Sequence, residues 1–125
     1  MQLDAFTVVR SQPVIDHVSA IGWDARRPVV AWIATSELEG GAGRPLSPDE
    51  AIRQVHWNTD LIEQITAAKY ARGDYVPHEH LGHHGVRMTV TWADIKETGE
   101  PWRQPPAAGA AWASRDGRFG PSPRL

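Results

Sequence analysis

The chain has 125 residues, a formal net charge of −2, no cysteine and six tryptophans. That length fits one domain, which buries about 65–70% of its unfolded surface without covalent staples. The missing cysteine excludes disulfides, thiolate metal sites, iron–sulfur clusters and cysteine nucleophiles. Residues 1–102 carry nine Lys/Arg against fourteen Asp/Glu, and residues 103–125 carry four Arg against Asp116. The body therefore lacks the clustered positive charge that binds a nucleic-acid backbone, and no nucleic-acid partner is expected. Met1 to Phe6 has neither the basic nor the apolar segment of a signal peptide, and no apolar run approaches the roughly 18 residues of a membrane span. A cytoplasmic chain with no membrane partner is expected.

Phe6-Thr7-Val8-Val9, within Leu3 to Arg10, and the short stretch Pro13 to Val18 predict two strands. Gly22, Asp24 and Arg26-Arg27 before Pro28 read as a turn, after which the apolar run Val29 to Thr35 predicts the most buried strand. Gly40-Gly41-Ala42-Gly43 with Pro45 reads as a flexible loop. Ser47-Pro48-Asp49-Glu50 fits a capping box with proline at the first helical position, so one helix is predicted from about 48 to 72, stopped by Gly73. Ile52, Val55, Ile62 and Ile65 fall on one face of it and Arg53, His56, Asp60, Glu63 and Gln64 on the other. Asn58 and Thr59 interrupt the apolar stripe, either where the helix crosses a strand edge or where it meets a partner. Val86 to Trp92 alternates apolar and polar residues, the period of a strand with one buried face. From Arg103 the chain is rich in Pro, Gly, Ala and Arg and short of large apolar residues, which predicts an irregular tail with Trp112 and Phe119 as its anchors. The expectation is one α+β domain over 1–102, a small antiparallel sheet of about four strands packed on one main helix, followed by the 103–125 tail.

Val55, Ile62-Glu63-Gln64-Ile65, Ala67-Ala68-Lys69-Tyr70-Ala71-Arg72-Gly73 and the ending Thr91-Trp92-Ala93-Asp94-Ile95 resemble a family of short bacterial proteins known as the domain of unknown function number 1488. Trp32-Ile33-Ala34-Thr35-Ser36-Glu37-Leu38 is similar to that family's strand leading into a Ser-x-Glu-Ala-Leu-like segment. The likeness covers about residues 4 to 98. The chain departs from the pattern at Asn58, where a basic residue or histidine is expected, and in the glycine-rich and histidine-rich segments, which resemble insertions. The resemblance implies a small α+β fold with one main helix on an antiparallel sheet. It brings no activity, so no catalytic residue is carried over.

Four of the six histidines lie in Pro77-His78-Glu79-His80-Leu81-Gly82-His83-His84-Gly85. Neutral imidazole is a common metal ligand and titrates near neutrality. If Pro77 keeps the segment extended, His78 and His80 project to one side, and a turn at Gly82 brings His83 or His84 back toward them. Three imidazoles suit zinc, nickel or copper. The competing reading is a solvated loop, and no cofactor is expected by default. Gly73-x4-His78-x-His80 matches the first part of a cupin metal motif, but no second part follows and the flanking elements are wrong.

His56 and Asp60 are spaced as a helical pair without a nucleophile beside them; Asp16 and His17 are adjacent and so point to opposite faces of a strand. Glu37 and Glu39 share a side if extended, and the glycine loop lacks a P-loop ending. Trp32 and Trp92 are read as core. Trp57, lying away from the apolar stripe, joins Trp102, Trp112 and Phe119 as a candidate interface. The leading functional expectation is a binding or accessory module working through a protein partner or as a homo-oligomer; the alternative is a metal-binding protein or metal-dependent hydrolase using His78, His80, His83 and His84.

Overall fold

Burial is deepest in the central strands, where four consecutive residues, Pro28 to Ala31, are buried, and falls away toward the edges. A computed structural model describes residues 3–9 and 16–106. It contains β1 (Asp4–Val8), β2 (His17–Asp24), β3 (Arg27–Ala34), α1 (Thr35–Ala42), α2 (Pro48–Trp57), α3 (Thr59–Ala71), β4 (Val76–His80), β5 (His83–Val90) and α4 (Trp92–Glu97). The five strands form one sheet in the order β1-β2-β3-β5-β4, antiparallel except where β3 and β5 run parallel. The α+β class is as expected. Among the described residues the sheet has five strands rather than about four, the main helix expected over 48–72 is divided into α2 and α3, and α1 and α4 are additional.

Val18 and Ala20 of β2, Val29, Ala31 and Ile33 of β3 and Val86, Met88 and Val90 of β5 form one buried cluster with Leu38, Ile52, Val55, Ile62 and Ile65 of the helices. Helix α2 packs over β1 and β2, and α3 over β3 and β5. Each fully buried Ile or Leu side chain there contributes about 2–3 kcal/mol. Three glycines, Gly22, Gly41 and Gly85, permit close approach. A Cβ on Gly22 would stand 2.8 Å from Phe6 Cδ1 and 2.9 Å from Leu3 Cβ. Gly22 therefore lies inside β2 rather than in a turn, and the turn is Ala25-Arg26, with Ala25 at φ 55. The strand expected at Pro13 to Val18 is displaced to His17–Asp24; residues 13–15 lie outside the described residues. A Cβ on Gly41 would meet the Trp92 ring at 2.5 Å. The expected glycine loop is thus mostly helix α1, which ends at Gly43 with φ 73. Trp92, read as a strand residue, opens α4 and packs on α1 through this gap.

The capping box at Ser47 forms as expected, with Glu50 N–H donating to Ser47 Oγ at 3.2 Å and Ser47 N–H to Glu50 Oε1 at 3.0 Å. The helix does not run unbroken to Arg72. It breaks at Asn58, which leaves helical geometry at φ −118, ψ 29. Its side chain binds a remote segment instead: Asn58 Nδ2 donates to Arg103 O at 2.9 Å and to Gln54 O at 2.8 Å, while Arg103 N–H donates to Asn58 Oδ1 at 2.8 Å. Trp102 Nε1 donates to Gln54 Oε1 at 2.8 Å, Gln54 Nε2 to Gln104 Oε1 at 2.8 Å, and Arg53 Nη2 to Pro106 O at 2.8 Å. Residues 102–106 are thereby strapped across the junction of α2 and α3. Gly73, at φ 76, follows α3 as the expected stop.

Candidate functional site

The histidine run is a hairpin rather than a loop. Leu81 and Gly82 have φ 50 and 80, the positive pair of a type I′ turn, and this closes β4 on β5 with His80 opposite His83, Glu79 opposite His84 and His78 opposite Gly85. The two-residue period puts His78, His80 and His83 on one side of the sheet. His84 falls on the other side, 3.3 Å from Glu79. Of the four candidate ligands the structure gathers three on a face and separates the fourth. Among the described residues no three His, Asp or Glu side chains converge closely enough to hold a metal ion.

The face that carries these histidines is opposite the helices. It also holds His17, Ser19, Ile21 and Trp23 of β2, Val30 and Trp32 of β3, and Arg87 and Thr89 of β5, by the register of the ladders. Ile21 and Val30 are 9% and 4% exposed yet stand outside the core cluster. Trp32 organises this side. The His17 ring stacks on it at 4.2 Å between centroids, and the Arg87 guanidinium carbon lies 4.3 Å from its centroid. Two groups cannot share one layer at that height, so they take opposite faces of the indole, one from β2 and one from β5. His78 meets Trp32 edge-on at 6.5 Å, and His80 and His83 meet Trp23 edge-on at 6.2 and 5.5 Å. His17 Nδ1 lies 2.8 Å from Asp16 Oδ1, so these neighbours do pair at the strand's start despite opposite alternation. Burial, then the Arg87 charge, then His80 hold the His78 imidazole below its ordinary pKa.

Sheet edges are the other place a chain could dock. In antiparallel ladders hydrogen-bonded pairs alternate, and the pair closing a two-residue turn is bonded, so Pro77 and Glu79 turn their backbone groups outward from β4. Pro77 has no N–H, which blunts that edge.

The remaining candidates have structural partners. Glu37 Oε1 accepts from Trp92 N–H at 2.7 Å and Glu39 Oε2 from Leu46 N–H at 2.9 Å, so this pair joins helix ends rather than lining a cleft. Lys69, only 9% exposed, places Nζ 2.9 Å from Asp94 Oδ2. Asp94 also caps α4, and although burial alone would raise its pKa, the Thr91 N–H and Lys69 hold it below the usual carboxylate range. Trp102 is half-buried, edge-on to Trp92 at 5.6 Å. Trp57 lines a small cavity with Asn58, Asp60 and Arg103. Trp112 and Phe119 lie outside the described residues. Sequence reasoning missed the roles of His17, Trp32 and Arg87, which the sheet order brings together; the alternation of Arg87 and Thr89 with Val86, Met88 and Val90 was the available signal.

Comparison of the chain with known protein families, curated proteins and solved structures finds no match in any of the three. No helix among the described residues is long and apolar enough to cross a membrane.

Proposed function

We propose that the chain is a cytoplasmic binding module that docks a protein on the open face of its sheet. The observation that carries this reading is the Trp32 stack: Ile21 and Val30 lie on a side where, among the described residues, no helix covers them, beside an aromatic and cationic layer. Trp and Arg are enriched at protein contact surfaces. A nucleic-acid platform would need a free ring face for base stacking, and His17 and Arg87 occupy both faces of Trp32. Membership of residues 4–98 in the domain family of unknown function number 1488 belongs to the same proposal and adds no activity to it.

The test is photo-crosslinking in cells from a benzophenone amino acid at position 89, exposed on the open face, against position 72, exposed on helix α3's end. The expected result is an adduct of discrete mass from position 89 and none from position 72. Equal adducts from both, or none from position 89, would overturn the proposal.

A second reading, metal-dependent binding or hydrolysis, is supported by His80 standing opposite His83 across the turn on the same face. One chain supplies that pair; zinc or nickel would need further ligands. Elemental analysis of tag-free protein and zinc titration against His80→Ala/His83→Ala test it: stoichiometric metal lost in the variant supports it, and no metal with identical titrations removes it.

A further inference from the structure

We infer that the groove between α3 and α4, on the helical side of the sheet, is a binding site for a small zwitterion, an apolar α-amino acid. The two helices enclose a cavity of about 160 Å³. Asp94 stands against Lys69, while Glu100 and Pro101 share a second cavity with Asp60 and Leu61, so α4 and its continuation run antiparallel to α3. Charge is sorted by wall. Lys69 and Arg72 line the cavity from α3, and Asp94 and Glu97 line it from α4. Each pair is spaced i, i+3, so its two members lie one above the other on the same helix face.

The ion pair at the centre has bonding capacity to spare. Lys69 is 9% exposed, and its Nζ lies 2.9 Å from Asp94 Oδ2 and 3.6 Å from Asp74 Oδ2. An ammonium carries three donors, so these two carboxylates leave at least one N–H of a buried group for another acceptor. Buried ion pairs hold best when such remaining protons are satisfied. On the other wall, Asp94 Oδ2 takes both Lys69 and the Thr91 N–H, at 2.9 Å each, which leaves Oδ1 to accept. Arg72 is exposed, with Nη2 3.5 Å from Asp74 Oδ2, a solvated pair that yields readily to a ligand carboxylate.

Charge and size select the ligand. A simple anion or cation would meet repulsion from one wall, whereas a zwitterion sets its carboxylate between Lys69 and Arg72 and its ammonium between Asp94 and Glu97. The antiparallel run offsets the middle of the acidic pair from that of the basic pair by about 4.5 Å along the helix axis. The adjoining ammonium and carboxylate of an α-amino acid reach both. Ile65 and Ala68, on the acidic side of that offset, give the ligand's side chain an apolar floor. A cavity of about 150 Å³ holds a molecule the size of benzene, which limits the amino acid to about the size of valine.

The test is an amide NMR titration of the full chain with L-valine, carried into the millimolar range. The resonances of Ala68, Arg72 and Glu97 are expected to shift saturably. L-Valinamide and isovalerate, each lacking one charge of the zwitterion, are expected to bind about tenfold more weakly. Arg72→Gln and Glu97→Gln are at exposed positions and leave the Lys69–Asp94 pair in place. Each is expected to weaken valine about threefold, Arg72→Gln without effect on valinamide and Glu97→Gln without loss of isovalerate binding. The absence of a saturable shift with L-valine overturns the inference, as do equal affinities for the three compounds or variants that bind valine like the wild type. Shifts confined to Thr89 and its neighbours on the open face overturn it too, and leave the protein-docking proposal standing.

Discussion

Replacing Asn58 by alanine isolates the contribution of the strap. Asn58 is 5% exposed and its side chain makes three hydrogen bonds, one to Gln54 O and two with the Arg103 backbone. At about 1 kcal/mol net for each bond, with the Arg103 groups partly recovered by water, the loss is about 2–3 kcal/mol. Urea unfolding with a slope near 2 kcal/mol/M would show the midpoint falling by about 1–1.5 M. The same substitution in a chain ending at Glu100 removes only the bond to Gln54 O, so it is expected to cost about 1 kcal/mol or less. A chain ending at Pro106 serves as the control. The difference between the two costs is the coupling of Asn58 to the strap. A cost below about 0.5 kcal/mol in the longer chain, or equal costs in both, would refute the argument that this amide breaks the helix in order to hold residues 102–106.

Leu81 is 83% exposed and sits at φ 50, so Leu81→Asn gives the turn its preferred Asn-Gly pair and is expected to stabilise by about 0.5–1 kcal/mol in urea unfolding; a loss would contradict the turn assignment. Gly85→Ala would drive a Cβ into the Pro28 carbonyl and ring, and is expected to cost about 2–3 kcal/mol by the same assay, with an unchanged midpoint counting against the close approach. His78 is held below its ordinary pKa by burial, Arg87 and His80, whereas in the unfolded chain it titrates near about 6.5. The unfolded state therefore takes up the proton at higher pH, so stability is full above about 6.5 and declines as pH falls through that value toward the folded pKa. His78→Gln is expected to flatten this part of the stability curve, and an unchanged slope would refute it.

How far the fold could be read from sequence depended on how local its causes were. Ser47 to Glu50 contains its whole cap within four residues, and Gly73 ends α3 by its own backbone freedom, so both helix limits were legible. The strand around Met88 was legible because one of its faces meets the core and the other does not. Asn58 was not, since the partner that takes it out of the helix is Arg103, far along the chain. Gly22 and Gly41 misled because glycine is read as looseness, while here it makes room for Phe6, Leu3 and Trp92. The histidine hairpin lacked the usual Asn-Gly mark at its turn. Its pairing of His78 with His80 on one side followed from extended geometry, but the separation of His84 required the register. The face built on Trp32 needs residues from β2, β3 and β5, and no local pattern announces a parallel pairing of β3 with β5.

That pairing divides the sheet into two pieces that meet along a single line. The β1-β2-β3 meander and the β4-β5 hairpin each close through short connections, but Val29 must wait for Val86 and three intervening helices before the two halves join. Local closures take microseconds, whereas contacts of long sequence separation set the pace of folding. The β3–β5 seam is therefore expected to set the rate at which this protein folds, as stopped-flow refolding would measure. Shortening Val86 or Val90 should slow refolding, while changes at the hairpin tip should register chiefly in unfolding.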